Sequence, residues 1–371
     1  MNRSSQAFCS LILVILSSGM TDSVRGQAEL SHRAAIRIQE PVPFRISSAE
    51  STAQDSLSIS GPVLGFLFDA SRNGFRAILG IPGSSLLGSA VPLEAPVTRS
   101  WISPRNNYAL AETRAGDLLL INFPESMSRA VLLDVCGGGE RTIAIDSSGR
   151  TALVWNKVRR SFQKIVDLPA APRVGTESAI SLPPGEVTAL AISGNAFPAL
   201  AGIRSRDSAT VYFVEESRNP VLVYQGGDIS ALSFLPDGTG ALIADVLQGR
   251  IWMLAHAGEA ASIAPLEAIQ QKVADPLALE VSSDGRFILA AGRDGVAWMD
   301  RRDGRVTALS GSVSLTGLYR LSGTDIFRLN EISDEPLLIT LPGPQGPQLL
   351  FVPVDSGTAP RPRRDLNRRL P

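Results

Sequence analysis

The sequence predicts an all-β chain closed into a seven-bladed β-propeller, with six and eight blades as the neighbouring counts. Three observations predict it. Residues 228–254 (DISALSFLPDGTGALIADVLQGRIWML) form three short apolar runs split by Pro236-Asp237-Gly238 and Gln248-Gly249. Such turns suit hairpins, because glycine takes φ > 0 without a Cβ clash. A similar string recurs at 276–299 (PLALEVSSDGRFILAAGRDGVAWM), where Trp298-Met299 matches Trp252-Met253. Finally, the apolar anchors before each first turn, Phe68, Trp101, Ile145, Ile192, Phe234, Val281 and Leu318, are spaced by 33, 44, 47, 42, 47 and 37 residues. A variable period near forty with three or four strands per unit is the propeller signature. Closure has a physical reason: each blade has two faces to bury, and only a ring supplies two neighbours to all.

The elements follow in order. Residues 1–26 read as a signal peptide: Arg3 precedes an apolar stretch, 7–20, too short to span a bilayer, and Val24 and Gly26 place cleavage before Gln27. The expected location is the periplasm or the exterior, with no membrane span in the mature chain. Residues 27–56 are an irregular lead-in, 57–354 the propeller and 355–371 an Arg/Pro-rich tail expected to be disordered. First turns fall at Asn73-Gly74, Asn106-Asn107, Ser148-Gly149, Gly194-Asn195, Gly238, Gly285 and Ser322-Gly323. Residues 220–224 and 305–309 read as fourth strands and 349–354 as the last strand of the ring, with 57–60 expected on the outer edge of the final blade. Residues 260–274 break the pattern, and LEAIQQKVA is expected to form two helical turns.

The turns Leu235-Pro236-Asp237-Gly238, Ser282-Ser283-Asp284-Gly285 and Asp146-Ser147-Ser148-Gly149 resemble those of bacterial WD-repeat-like and YVTN-type propellers over about 61–354. The chain departs from true WD repeats in lacking their Gly-His and Trp-Asp dipeptides. The resemblance implies a shape. Related seven-bladed lactonases act on sugar lactones, but none of their catalytic motifs maps onto numbered positions here.

Composition bounds the chemistry. The chain has 371 residues, 33 Gly, 25 Pro, 44% hydrophobic residues and a formal net charge of −1, so no global field calls for nucleic acid. With only His32 and His256, a histidine-rich metal site or a Ser-His-acid triad has little to be built from. Asp294, Asp300 and Asp303 alternate with arginines, which argues against a calcium loop. Gly137-Gly138-Gly139 lacks the Lys-Ser/Thr of a phosphate loop. Cys136, alone after processing, reads as a small half-buried residue, and Trp155, Trp252 and Trp298 as inter-blade packing in third strands. No cofactor is expected.

One asymmetry stands out. In each meander, the loops between second and third strands emerge on one face, and there they carry Arg114, Lys157 with Arg159 and Arg160, Arg204 with Arg206 and Asp207, Asp245 with Arg250, and Arg293 with Asp294. Solvated loops are the plain reading. The functional one is a rim of cationic forks suited to carboxylates or acidic loops. The tail arginines Arg361, Arg363, Arg364, Arg368 and Arg369 read as a solubilising end. The expectation is an exported, non-catalytic scaffold that binds a protein or acidic glycan at the cell envelope. The alternative is a lactone or ester hydrolase with axial carboxylates or a bound metal.

Overall fold

The computed structural model describes residues 61–354 except 125–126, 179, 195, 207, 257–260, 294, 311–313, 322–324 and 334. Seven antiparallel sheets follow one another along the chain, each a meander running outward from its first strand. They form a seven-bladed β-propeller. The innermost strands are Val63–Asp69, Val97–Ile102, Arg141–Ile145, Glu186–Ile192, Ile229–Phe234, Ala278–Val281 and Tyr319–Arg320. Six of the seven anchors lie within these strands, and Leu318 sits one residue before the last.

Why these segments become blades is visible in their burial. Second strands such as Tyr108–Thr113, Ala152–Asn156 and Gly240–Asp245 are buried along their whole length, because both sheet faces meet neighbouring blades. Their sequences are accordingly continuous apolar runs rich in alanine. Fourth strands such as Ser262–Pro265 are exposed throughout. Between the blades lie seven separate apolar cores, one for each interface. The seventh joins Leu64, Leu67, Ile78 and Leu87 of blade 1 to Leu321, Ile326, Leu337, Ile339 and Val352 of blade 7. An open arc of seven blades would have six cores. This chain is a closed ring.

Two repeated polar devices support the apolar ones. Near the start of three inner strands a hydroxyl donates to a main-chain carbonyl entering the next blade: Thr142 to Val187 (3.3 Å), Thr188 to Ile229 (3.2 Å) and Ser230 to Pro276 (2.6 Å). The first turns are a second device. Gly149, Gly238 and Gly285 each take positive φ (66°, 69° and 71°) at the fourth turn position, closing a hydrogen bond to the residue three back. Blade 2 has the same turn, Ser103 to Asn106, but with asparagine at the left-handed position (φ 53°). Asn106 uses the side chain that glycine lacks. Its Oδ1 accepts from the Phe66 N–H of blade 1 at 3.0 Å, and its Nδ2 donates to the Arg320 carbonyl of blade 7 at 2.8 Å. One buried residue in blade 2 thus holds the first and last blades together. Gly65 makes room for it: a Cβ there would lie 2.8 Å from Asn106 Oδ1 and 2.8 Å from Leu321.

Several expectations need correction. Trp155 lies in the second strand of blade 3, Ala152–Asn156, because the Asp146–Gly149 turn leads straight into it; Trp252 and Trp298 are in third strands as expected. The expected two-turn helix is a single turn, Glu267–Gln270, which closes in a tight turn where the Lys272 N–H donates to the Ile269 carbonyl at 3.0 Å. Its Ile269, with Val273 after it, packs into the core between blades 5 and 6. In blade 1 the third position is shared by Ser84–Leu87 and Val91–Pro92, which both pair with Gly74–Ile81. The last blade draws four strands from one continuous segment, ending in Gln348–Val352. Residues 57–60, the signal-peptide-like stretch, the lead-in and the tail lie outside the described residues.

Replacing Asn106 with glycine keeps the backbone freedom the turn needs and removes the two inter-blade hydrogen bonds together with a long one to the Ser103 carbonyl (3.5 Å). Stability measured by denaturant unfolding is expected to fall by about 2–4 kcal/mol, the cost of two buried polar groups left unpaired. An unchanged midpoint would contradict the clasp.

Candidate functional site

Two regions can meet a ligand: the loops joining second to third strands, and the channel along the ring axis. In blades 3 and 5 loop geometry is set by the residue that ends the second strand. In blade 5 this is Asp245, fully buried, whose carboxylate accepts from the N–H groups of Gly227 (2.7 Å), Asp228 (3.1 Å) and Gln248 (3.0 Å) and from the Tyr224 hydroxyl (2.9 Å). Asp245 therefore cannot contact a partner, contrary to expectation; it fixes the loop that carries Leu247. In blade 3 Asn156 has the same part, accepting from Arg159 N–H (2.9 Å) and donating to the Cys136 and Gly137 carbonyls. That loop carries Val158. Arg160, at φ 53°, donates to the Leu182 and Pro183 carbonyls and is likewise structural.

The remaining rim cations are less open than their count suggests. Glu140, Lys157, Glu186, Arg204 and Asp228 form one alternating chain across blades 3 to 5, with separations of 2.5, 3.4, 2.7 and 4.0 Å. Arg159 pairs with Glu177 at 2.9 Å, and Arg293 lies 3.8 Å from Asp275. Arg250 lies over the Trp252 ring, 5.7 Å from its centroid. Arg114 and Arg206 are exposed and make no ion pair with another described residue. Asp294 and Asp207 lie outside the described residues. The rim is thus a mostly neutralised polar surface. Between its charges stand three exposed aliphatic tips: Ile81 (57% exposed), Val158 (75%) and Leu247 (75%).

Charge pairing on the rim shifts its titration. The hydrogen bond from Lys157 holds the Glu140 carboxyl below the usual range and raises Lys157 in turn. Arg204 first, and Lys157 second, do the same for Glu186. Depressed carboxylates stabilise the fold above their unfolded pKa, and that contribution fades as pH falls through the lower folded value. Because these groups are exposed, the effect is small.

The channel carries residues that the sequence did not single out. Two cavities, of about 500 and 680 Å³, share Pro104, Ile145, Glu280 and Arg320 in their walls. Glu280 meets Arg320 at 3.2 Å, and Arg320 also meets Asp325 at 3.2 Å. Enclosure raises the Glu280 pKa, and Arg320 opposes that rise. The larger cavity is also walled by Arg99, Arg141 and Arg328, by Glu331, and by Phe66, Phe68, Trp101 and Tyr319. Arg99 and Arg141 share Glu112 behind the wall, at 2.6 and 3.1 Å. A partial signal for this set was present: Arg99 and Glu280 stand inside inner strands, and Arg141 opens one. Among the described residues no group of three or more His, Cys, Asp or Glu is placed to hold a metal ion.

No family model matches the chain, and no curated protein matches it. Solved structures do. A functionally unknown protein from Desulfotomaculum acetoxidans superposes with a TM-score of 0.56 at 13% identity, over 80% of this chain and 96% of that one. A putative 6-phosphogluconolactonase from Bacteroides uniformis gives 0.50 at 13% identity, over 78% and 94%. The β-propeller domain of Cps50 (Swd1) from Myceliophteria thermophila gives 0.45 at 12%, over 73% and 94%. What the first two share with this chain is the fold. The expected fold-level resemblance to repeat-built propellers is met by the seven blades themselves. Among the described residues no helix is long and apolar enough to cross a membrane.

Substituting Lys157 with alanine is expected to raise the titration midpoint of Glu140, with a smaller rise at Glu186, where Arg204 remains. Carboxyl-detected NMR titration checks this; an unmoved Glu140 would contradict the pairing.

Proposed function

We propose that this protein is an exported, non-catalytic scaffold that docks a protein partner on the face bearing the second-to-third-strand loops. One observation carries the reading: Val158 and Leu247 project into solvent from loops that Asn156 and Asp245 hold rigid by buried hydrogen bonds. Leaving a large aliphatic side chain in water forgoes about 1.5–3 kcal/mol of burial. Holding it on a preordered loop lowers the entropic cost of binding. Apolar tips ringed by polar and charged residues reproduce the core-and-rim pattern of protein interfaces. The paired rim charges then serve orientation and selectivity more than affinity. Export rests on the signal-peptide-like N-terminus, and the cell envelope is the corresponding location. An acidic glycan would instead depend on Arg114 and Arg206, the exposed cations without a described counter-ion.

The hydrolytic reading would fall to Glu280 in the channel, and the likeness to a putative lactonase supports the fold alone. We therefore rank it second.

Partners recovered with the mature protein and measured by biolayer interferometry should bind a Val158→Asp/Leu247→Asp variant at least about tenfold more weakly, near 1.4 kcal/mol. The melting temperature should stay unchanged, because both side chains are exposed. A Val131→Asp/Leu132→Asp variant, altered on an outer strand, should bind normally. Equal binding by the loop variant would remove this face from consideration.

A further inference from the structure

The larger axial cavity contains an enclosed arginine that makes no ion pair with a described residue. Arg328, in the short second strand of blade 7 (Phe327–Arg328), is only 4% exposed. Its Nη1 donates to the Asn330 carbonyl, its Nε has no partner, and it makes no ion pair with a described residue. The other enclosed arginines differ. Arg76 lies 3.5 Å from Asp69, Arg141 3.1 Å from Glu112, and Arg320 3.2 Å from both Glu280 and Asp325. A guanidinium withdrawn from water without a counter-ion is costly, and the fold keeps this one in the wall of a cavity of about 680 Å³.

Around Arg328 the wall is shaped for more than a bare ion. Its guanidinium lies over the Tyr319 ring, 4.1 Å from the centroid, which holds the fork flat and fixed. Phe66, Phe68 and Trp101 line the same cavity. Glu331, also in the wall, is beyond ion-pair distance of Arg328, yet its charge acts on both Arg328 and Tyr319. It can accept a hydroxyl or amine hydrogen from a ligand seated between them. Burial pulls the Arg328 pKa down, and Glu331 and Tyr319 oppose that fall.

We propose that this axial cavity binds a small oxyanion-bearing molecule, whose carboxylate or phosphate sits on Arg328 and whose uncharged body lies along the aromatic wall. A planar guanidinium in the cavity wall suits such an anion better than a point charge would. The site is separate from the loop tips, so it stands or falls independently of the docking face.

The test uses the full mature chain at constant ionic strength, titrated with inorganic phosphate, with acetate, and with chloride as control. The expected result is a saturable rise in melting temperature with phosphate or acetate but not chloride; the stronger of the two identifies the headgroup. Arg328→Met should weaken that response at least about tenfold, and Arg328→Lys, which keeps the charge and loses the fork, should weaken it too. A response equal to that of chloride, or one undiminished in Arg328→Met, would overturn the proposal. Should Arg328→Met not fold, the Arg328 Nε–H NMR resonance, assigned with Arg328→Lys, must move on addition of the effective anion; a stationary resonance overturns the proposal as well.

Discussion

The structure depends on one constraint: the face of blade 1 that follows no earlier blade must be buried by blade 7. Every other interface joins segments adjacent in sequence, so its loop-closure cost is low and its partner is set by chain order. The closing interface joins the two ends of the ring and has no such help. It is met by an apolar core in which Leu67, Ile78, Leu337 and Val352 are fully buried, and by Asn106, which reaches both blades from a third. The loop face and the channel have fixed geometry only because this contact closes the circle.

Much of the fold was legible because its determinants are local. The Asp-Gly and Ser-Gly turns, the apolar alternation and the period near forty belong to single hairpins, and they placed six inner strands correctly. Where the reading slipped, a local signal was outweighed. Trp155 looked like the third-strand tryptophans of blades 5 and 6, but the Asp146–Gly149 turn puts it one strand earlier. LEAIQQKVA has helical spacing, yet only Glu267–Gln270 is helical, with Ile269 and Val273 both drawn into the core between blades 5 and 6. Blade 7 was the weakest match because its first two strands are two residues each.

The site was less legible for a different reason. Sequence placed the rim cations on one set of loops but could not show that Glu140, Glu186 and Asp228 lie between them, or that Asp245 is buried. Nor could it show that Glu280 and Arg320, forty residues apart, meet in the channel, or that Arg328 is enclosed without an ion pair to a described residue. Asn106 was read as a turn residue; its acceptor on Arg320 is 214 residues away. Charge is therefore mostly spent within the scaffold. Exposed among the described residues are the aliphatic tips of Ile81, Val158 and Leu247, and enclosed in the channel wall is Arg328.

Closure can be observed without reference to function. Strands Ser84–Leu87 and Gln348–Val352 lie beside each other across the closing interface, and Leu86 and Phe351 are exposed on them. In a Cys9→Ser/Cys136→Ser background, spin labels at Leu86→Cys and Phe351→Cys can be read by pulsed electron resonance. The account predicts a single narrow, short distance in the native protein that broadens only on unfolding. A broad or long distance in the native state, as in an open arc of blades, would contradict it.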